Sequence, residues 1–196
     1  MRNMTIALTS ILLITFAGCS GTPPHKIDPN SDDGLITVNE LNFKDWQMAS
    51  AKSINALLQS DALKTNDGHK PIIMISTIKN STMQHINVKL LTQDIRVALL
   101  RSGKALTTTA VGTDGAEEIA TRQVRELRNN PIFNKKTIEK MGQIITPNFS
   151  LAGEVIQHKK LQGDIEESYF TIHLTLTDLD KGLPIWEDSV RIAKQP

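Results

Sequence analysis

Between Tyr169 and Leu176 every second residue is a large hydrocarbon. Phe170, Ile172, Leu174 and Leu176 alternate with Tyr169, Thr171, His173 and Thr175. Successive side chains of an extended chain point to opposite faces, so this pattern predicts a strand with one face in a core and the other in water. Strand candidates flank it at Phe149 to Gln157 and Leu183 to Ala193, and the strand itself spans Ser168 to Asp178. Gly163 and Asp180-Lys181-Gly182 supply the turns. The C-terminal third therefore reads as an antiparallel meander.

Helical spacing dominates upstream. Trp46, Ala49, Ser53, Ile54, Leu57 and Leu58 share one face of a helix predicted over Lys44 to Ser60. The β-branched run Pro71 to Lys79 reads as a buried strand and is followed by the turn Asn80-Ser81-Thr82. A second helix, Asn87 to Ser102, buries Val88, Leu91, Ile95, Ala98 and Leu99 and stops at Gly103. Lys104 to Val111 reads as a second strand. Asp114 and Glu117 form a capping-box-like pair. The helix they open is expected to bury Ala116, Ile119, Ala120, Val124 and Leu127. Asn129-Asn130-Pro131 breaks it, and a fourth helix is expected from about Lys135 to Ile145. The whole is an α/β (α+β) fold, one domain over residues 43–196, with a mixed sheet flanked by helices.

The N terminus is of another kind. Arg2 precedes the apolar run Met4 to Phe16, and Ala17-Gly18 precede Cys19, the only cysteine. A charged start, an apolar middle and a small-residue end are the order of a secretory signal peptide, predicted over residues 1–18. The run is too short to span a bilayer as a helix, which takes about 20 apolar residues. Phe16-Ala-Gly-Cys19 resembles the lipobox of bacterial lipoproteins, which implies lipidation of Cys19 and attachment to a membrane. Ser20, in the place where Asp would favour inner-membrane retention, points to the outer membrane. Residues 19–42 then form the lipidated cysteine and a tether. Pro, Gly, Asp and Ser dominate residues 20–34, too little apolar surface to offset the entropy of ordering. Ser20 to Asn42 drawn straight reaches about 80 Å at about 3.5 Å per residue.

Removing residues 1–18 takes away Arg2 and no acid, which leaves 21 basic side chains against 21 acidic ones. That balance argues against a nucleic-acid partner, which selects for a basic excess or stripe. None of the five histidines stands at ligand spacing from another, so no metal site and no cofactor is predicted. No nucleophile elbow, Ser-x-x-Lys or phosphate loop is present. Ser102-Gly103-Lys104 reads as a helix stop. Glu166 and Glu167 are adjacent, so in a strand they face opposite ways and share no acid–base site. No catalytic residue is assigned, and an enzyme is not expected. The segment Asn129 to Lys136 sets Ile132 and Phe133 in a polar loop before two lysines. An exposed aromatic beside cations is a partner contact in type, so Phe133, Lys135 and Lys136 are the candidate binding residues. The alternative is a staple, with Phe133 packed under the next helix.

Asp45-Trp46, Lys70-Pro71-Ile72, Asn80-Ser81-Thr82, His85-Ile86-Asn87, Leu91-Thr92 and Ser102-Gly103-Lys104 then fall in a telling order. Phe149-Ser-Leu-Ala-Gly153, Tyr169, Leu176-Thr-Asp-Leu179 and Gly182-Leu-Pro-Ile-Trp-Glu187 follow. Over about residues 45–194 the chain resembles the LpoB family, outer-membrane lipoproteins that activate penicillin-binding proteins. The resemblance implies a domain like the N-terminal domain of TolB. It also implies docking on a bifunctional penicillin-binding protein, whose glycan polymerisation and cross-linking rise. The competing expectation is a structural or secretion-channel-associated outer-membrane lipoprotein with a related domain. A cell-wall hydrolase ranks last for want of a nucleophile or metal constellation.

Overall fold

The computed structural model describes residues 26, 28, 40–65, 68–111, 118–137, 140 and 142–195. The signal peptide, Cys19, nearly all of the tether and the pair Asp114 and Glu117 lie outside the described residues. The chain divides into two units, residues 1–34 and 35–196, and the fold that follows is that of the second.

Helix α1 runs Phe43–Gln59. Asn42 caps it through a reciprocal pair. Its Oδ1 accepts from the Asp45 N–H at 3.0 Å, and Asp45 Oδ2 accepts from the Asn42 N–H at 2.8 Å. Two of the four N–H groups that a helix start leaves without partners are thereby satisfied. Strand β1 follows at Ile72–Ser81 and helix α2 at Val88–Ser102. Gly103 ends α2 in the left-handed conformation, φ 66°, where a side chain would be strained. Strand β2 is Leu106–Thr107 and helix α3 is Ile119–Glu126. Strands β3 (Phe149–Gln162), β4 (Ile165–Asp178) and β5 (Leu183–Lys194) complete the chain.

The five strands form one sheet in the order β2-β1-β3-β4-β5. β1 is parallel to β2 and β3, while β3, β4 and β5 pair antiparallel as the expected meander. The α+β architecture read from the sequence is the one found. α1 packs on α2, β5 and β4, and α2 packs on β1 and β2. The core is one cluster: Ile54 and Leu57 of α1 and Leu91, Ile95 and Leu99 of α2 meet Ile73, Ile75, Ile78, Leu151, Val155, Ile172, Leu174 and Leu176. All four predicted inward residues of β4 are fully buried. At about 1.5–3 kcal/mol per large aliphatic side chain, this single layer is the main source of stability.

β1 shows how a continuous apolar run can still be one-faced. Its register against β3 slips between Ile75 and Ile78, so Ser76 and Thr77 stand where β3 has Ala152 alone. The bulge lets Ile73, Ile75 and Ile78 all face the core, which strict alternation would forbid. Ser76 Oγ shares a 2.7 Å hydrogen bond with the Oγ of Ser150, the residue opposite Met74.

Three expectations need correction. The second strand is only two residues long, because the Thr108 hydroxyl accepts the Ala110 N–H at 3.1 Å and turns the chain out of the ladder. α3 forms, but buries no residue: Ile119 is 56% exposed, Val124 is 42% exposed and Leu127 is half-buried. The core cluster already rests on α1 and α2 and contains no residue of α3. The fourth helix is absent among the described residues of 135–145. Asn130 and Asn134 capture the N–H groups of Ile132 and Lys136 at 3.1 and 3.0 Å, which holds turns instead of a helix. Gly142 then sits at φ 76°, outside helical space.

Candidate functional site

The loop that carries Phe133, Lys135 and Lys136 is built from two consecutive Asx turns. Besides the two Asn caps, the Thr137 N–H and hydroxyl both donate to the Asn134 carbonyl, at 3.1 and 3.0 Å. Ile132 is 86% exposed and Phe133 43% exposed, and Lys135 and Lys136 stand in solvent. No helix follows among the described residues. The loop presents an aliphatic and an aromatic side chain beside two cations.

The remaining polar constellations are structural. His173 is held on the open sheet face by Ser189 Oγ at Nδ1, 2.9 Å, and by Thr175 Oγ1 at Nε2, 3.2 Å. Glu166 pairs with Lys159 at 2.7 Å, and Glu167 accepts the Tyr169 hydroxyl at 2.7 Å. The latter bond raises the Tyr169 pKa, since the carboxylate favours the protonated phenol. Glu154 is held below the usual carboxylate range, first by the Ser81 hydroxyl at 2.5 Å and then by Lys79 at 3.2 Å. Asp178 is lowered chiefly by Lys181, whose Nζ lies at 2.7 Å, while its Oδ1 accepts the N–H groups of Asp180 and Lys181 in the β4–β5 turn. Gly103 is the left-handed C-cap of α2 and Lys104 donates to the Leu58 carbonyl at 2.6 Å, so Ser102-Gly103-Lys104 is a helix stop. Among the described residues no group of three or more His, Cys, Asp and Glu side chains could hold a metal ion.

Sequence reasoning missed a cleft of about 540 Å³ where the start of α1 meets the loop 82–87 and α2. Leu41, Phe43, Trp46, Met83, Ile86 and Leu90 are its apolar lining, with Glu40, His85 and Asp94 among its polar residues. The loop is fixed from three sides: Leu41 N–H donates to Gln84 Oε1 at 3.1 Å, Met83 N–H to Gln157 Oε1 at 3.0 Å, and Asn80 Nδ2 to the Gln84 carbonyl at 2.8 Å. One signal was available. Leu41 and Trp46 stand at N′ and N4 of α1, the positions of a hydrophobic staple, and both are partly buried against the core. Trp186 is likewise half-buried against it, as a structural tryptophan.

The family model described as peptidoglycan-synthase activator LpoB matches residues 45–192. Among solved structures, the chain is similar to the LpoB C-terminal domain from Escherichia coli, at 14% identity over 76% of this chain and 98% of that one, TM-score 0.46. It is also similar to E. coli LpoB as determined by NMR, at 16% identity over 90% and 82% of the two chains, TM-score 0.43. A third similar structure is the lipoprotein GNA1162 from Neisseria meningitidis, at 16% identity over 64% and 83%, TM-score 0.37. No curated protein matches the chain.

Proposed function

Since the chain belongs to the LpoB family of peptidoglycan-synthase activators, we propose that it is an outer-membrane lipoprotein that binds and activates a bifunctional penicillin-binding protein. The observation that carries this reading is the extent of the family match, which runs from Asp45 in the first turn of α1 to Ile192 of β5. Cys19 is the anchor. One acyl chain would hold the protein only marginally, and the two or more chains of a lipoprotein hold it stably. The domain does no chemistry. It binds the active conformation of the synthase more tightly than the inactive one and so raises the active population. A tenfold shift in that equilibrium needs only about 1.4 kcal/mol of differential binding.

Phe133, Lys135 and Lys136 are the proposed contact. An aromatic anchor with flanking cations supplies both burial and charge complementarity. The test is a pull-down from solubilised envelopes with the full-length protein, followed by a glycan-polymerisation assay on what binds. A penicillin-binding protein is expected to be captured and to polymerise several-fold faster. Replacing all three loop residues with Ala is expected to weaken capture about tenfold or more. Failure of the protein to bind or stimulate any such synthase from its own organism would sink the reading. Cys19→Ser is expected to move the protein from the membrane to the soluble fraction on fractionation.

A further inference from the structure

β5 is the last strand of the sheet, and among the described residues no strand pairs with its outer side. It is 12 residues long. From Trp186 to Lys194 its register against β4 is unbroken and the stretch holds no proline; the one register shift lies before Trp186, beside Pro184. Such an edge offers a row of backbone donors and acceptors to another chain, and proteins commonly blunt it with bulges, proline or lysines. Here the charges on the open face are of opposite sign. Glu187 and Arg191 are exposed, with exposed Ser189 between them. Their neighbours on β4 are Thr175 and Thr171, and neither forms an ion pair among the described residues. Four residues apart on one strand, the two stand about 13 Å from each other and cannot pair within the chain.

We propose that β5 pairs antiparallel with β5 of a second copy about a two-fold axis at Ser189, joining the two sheets edge to edge. A two-fold perpendicular to the sheet sets each residue opposite one of the same face. Centred on Ser189, it sets Glu187 against the partner's Arg191 and Arg191 against the partner's Glu187. On the helix-covered face it sets Trp186 against the partner's Ile192, side chains that both already pack on the core. Opposite-charge and aromatic–β-branched pairs are favourable across strands. Centred one residue earlier, the axis would set Asp188 against the partner's Asp188 and Ile185 against the partner's Arg191. Centred one residue later, it would set Glu187 against the partner's Ala193 and Trp186 against the partner's Lys194. The charge order thus selects both the occupant and the register, because β5 read backwards is its own complement. The paired stretch from Trp186 to Ile192 is about 20 Å long. So narrow a contact is a weak one, with an expected Kd of about 10–100 µM. This edge is separate from the loop proposed to meet the synthase, and its test needs no partner enzyme.

The experiment uses the full-length protein in detergent, by cysteine cross-linking and sedimentation. Residues directly opposite in an antiparallel pair have Cα atoms about 4.5–5.5 Å apart, within reach of a disulfide. Ser189→Cys lies on the axis and is expected to form a disulfide dimer on mild oxidation, above the background of the parent chain, whose only cysteine is Cys19. Glu187→Cys and Arg191→Cys each lie about 13 Å from their own counterparts. Each alone is expected to give little dimer, and the two mixed are expected to cross-link. In sedimentation, Glu187→Lys and Arg191→Glu each set like charges opposite one another and are expected to weaken the dimer about tenfold. An equimolar mixture of these two variants, or the double variant, restores opposite signs at both positions and is expected to recover the parent's affinity. No Ser189→Cys disulfide above background, or a monomer at about 200 µM, would overturn the pairing. Equal cross-linking of the three cysteine variants would overturn the register. Charge variants that dimerise like the parent would overturn the selection by charge. A monomer whose Ser189→Cys cross-links in envelopes to a different protein would give the edge to that protein and overturn the second copy.

Discussion

Gly153 has room for a hydrogen atom and nothing larger. A Cβ built there would lie 2.6 Å from Leu174 Cδ2 and 2.7 Å from the His173 carbonyl oxygen. The methyl could rotate away, but the carbonyl belongs to the paired strand β4 and cannot. Gly153→Ala is therefore expected to lower stability by about 1–3 kcal/mol, read as an earlier urea midpoint at unchanged slope. A second residue works twice. Asp45 caps α1 through Asn42 and also meets Lys194 of β5 at 2.5 Å, with side chains only 14% and 10% exposed. Asp45→Asn keeps an acceptor for the cap and removes the charge. The expected loss is about 2 kcal/mol, between the small value of a surface pair and the larger one of a buried pair. At this scale the sequence spoke plainly about His173, Glu166 and Glu167, whose neighbours lie on their own or the adjacent strand. It was silent about Gly153, whose clash with the His173 carbonyl depends on a strand register that only the assembled sheet sets.

Among the elements, α1 and α3 make the sharpest contrast. Both show apolar residues at helical spacing, yet α1 buries Ala49, Ile54 and Leu57 whereas α3 buries nothing. Periodicity states that a helix has an apolar face; it does not state that a surface is left to receive it. The core was already closed by α1 and α2, and that fact belongs to the assembled sheet. The same reasoning explains the ends of β3 and β4. The hairpin runs on in register to Gln162 and Ile165, through lysines and glutamates that look like loop in the sequence. Cross-strand pairs such as Lys159 and Glu166 sustain it with both faces wet. The missing fourth helix was legible after the fact in Asn130 and Asn134, residues that take backbone N–H groups from a helix. Because no residue of α3 reaches the core, its amides are expected to exchange with deuterium at least about a hundredfold faster than those of α1 and α2. Equal protection of the three helices by hydrogen-exchange mass spectrometry would contradict this.

For the molecule as a whole, the lowered carboxylates contribute to the response to acid. Glu154 and Asp178 both titrate lower in the fold than in the unfolded chain. In acid the unfolded chain therefore takes up protons first. The stabilisation is fully present above the unfolded carboxylate values of about 4 and is lost as pH falls through the lower native ones. The urea midpoint is expected to stay level from about pH 7 to 5 and to decline below about pH 4. The double variant Glu154→Gln, Asp178→Asn is expected to start lower at neutral pH and to change less in acid. The packing also joins the two ends of the fold, since α1 lies on β5 and Asp45 is bound to Lys194. That closure imposes an order on biosynthesis. At about 5–20 residues per second, α1 waits roughly 6–25 s after it is made before the first residue of β5 has been added. Until then β5 cannot cover it, and the part of α1 that α2 leaves open is left to whatever holds nascent chains.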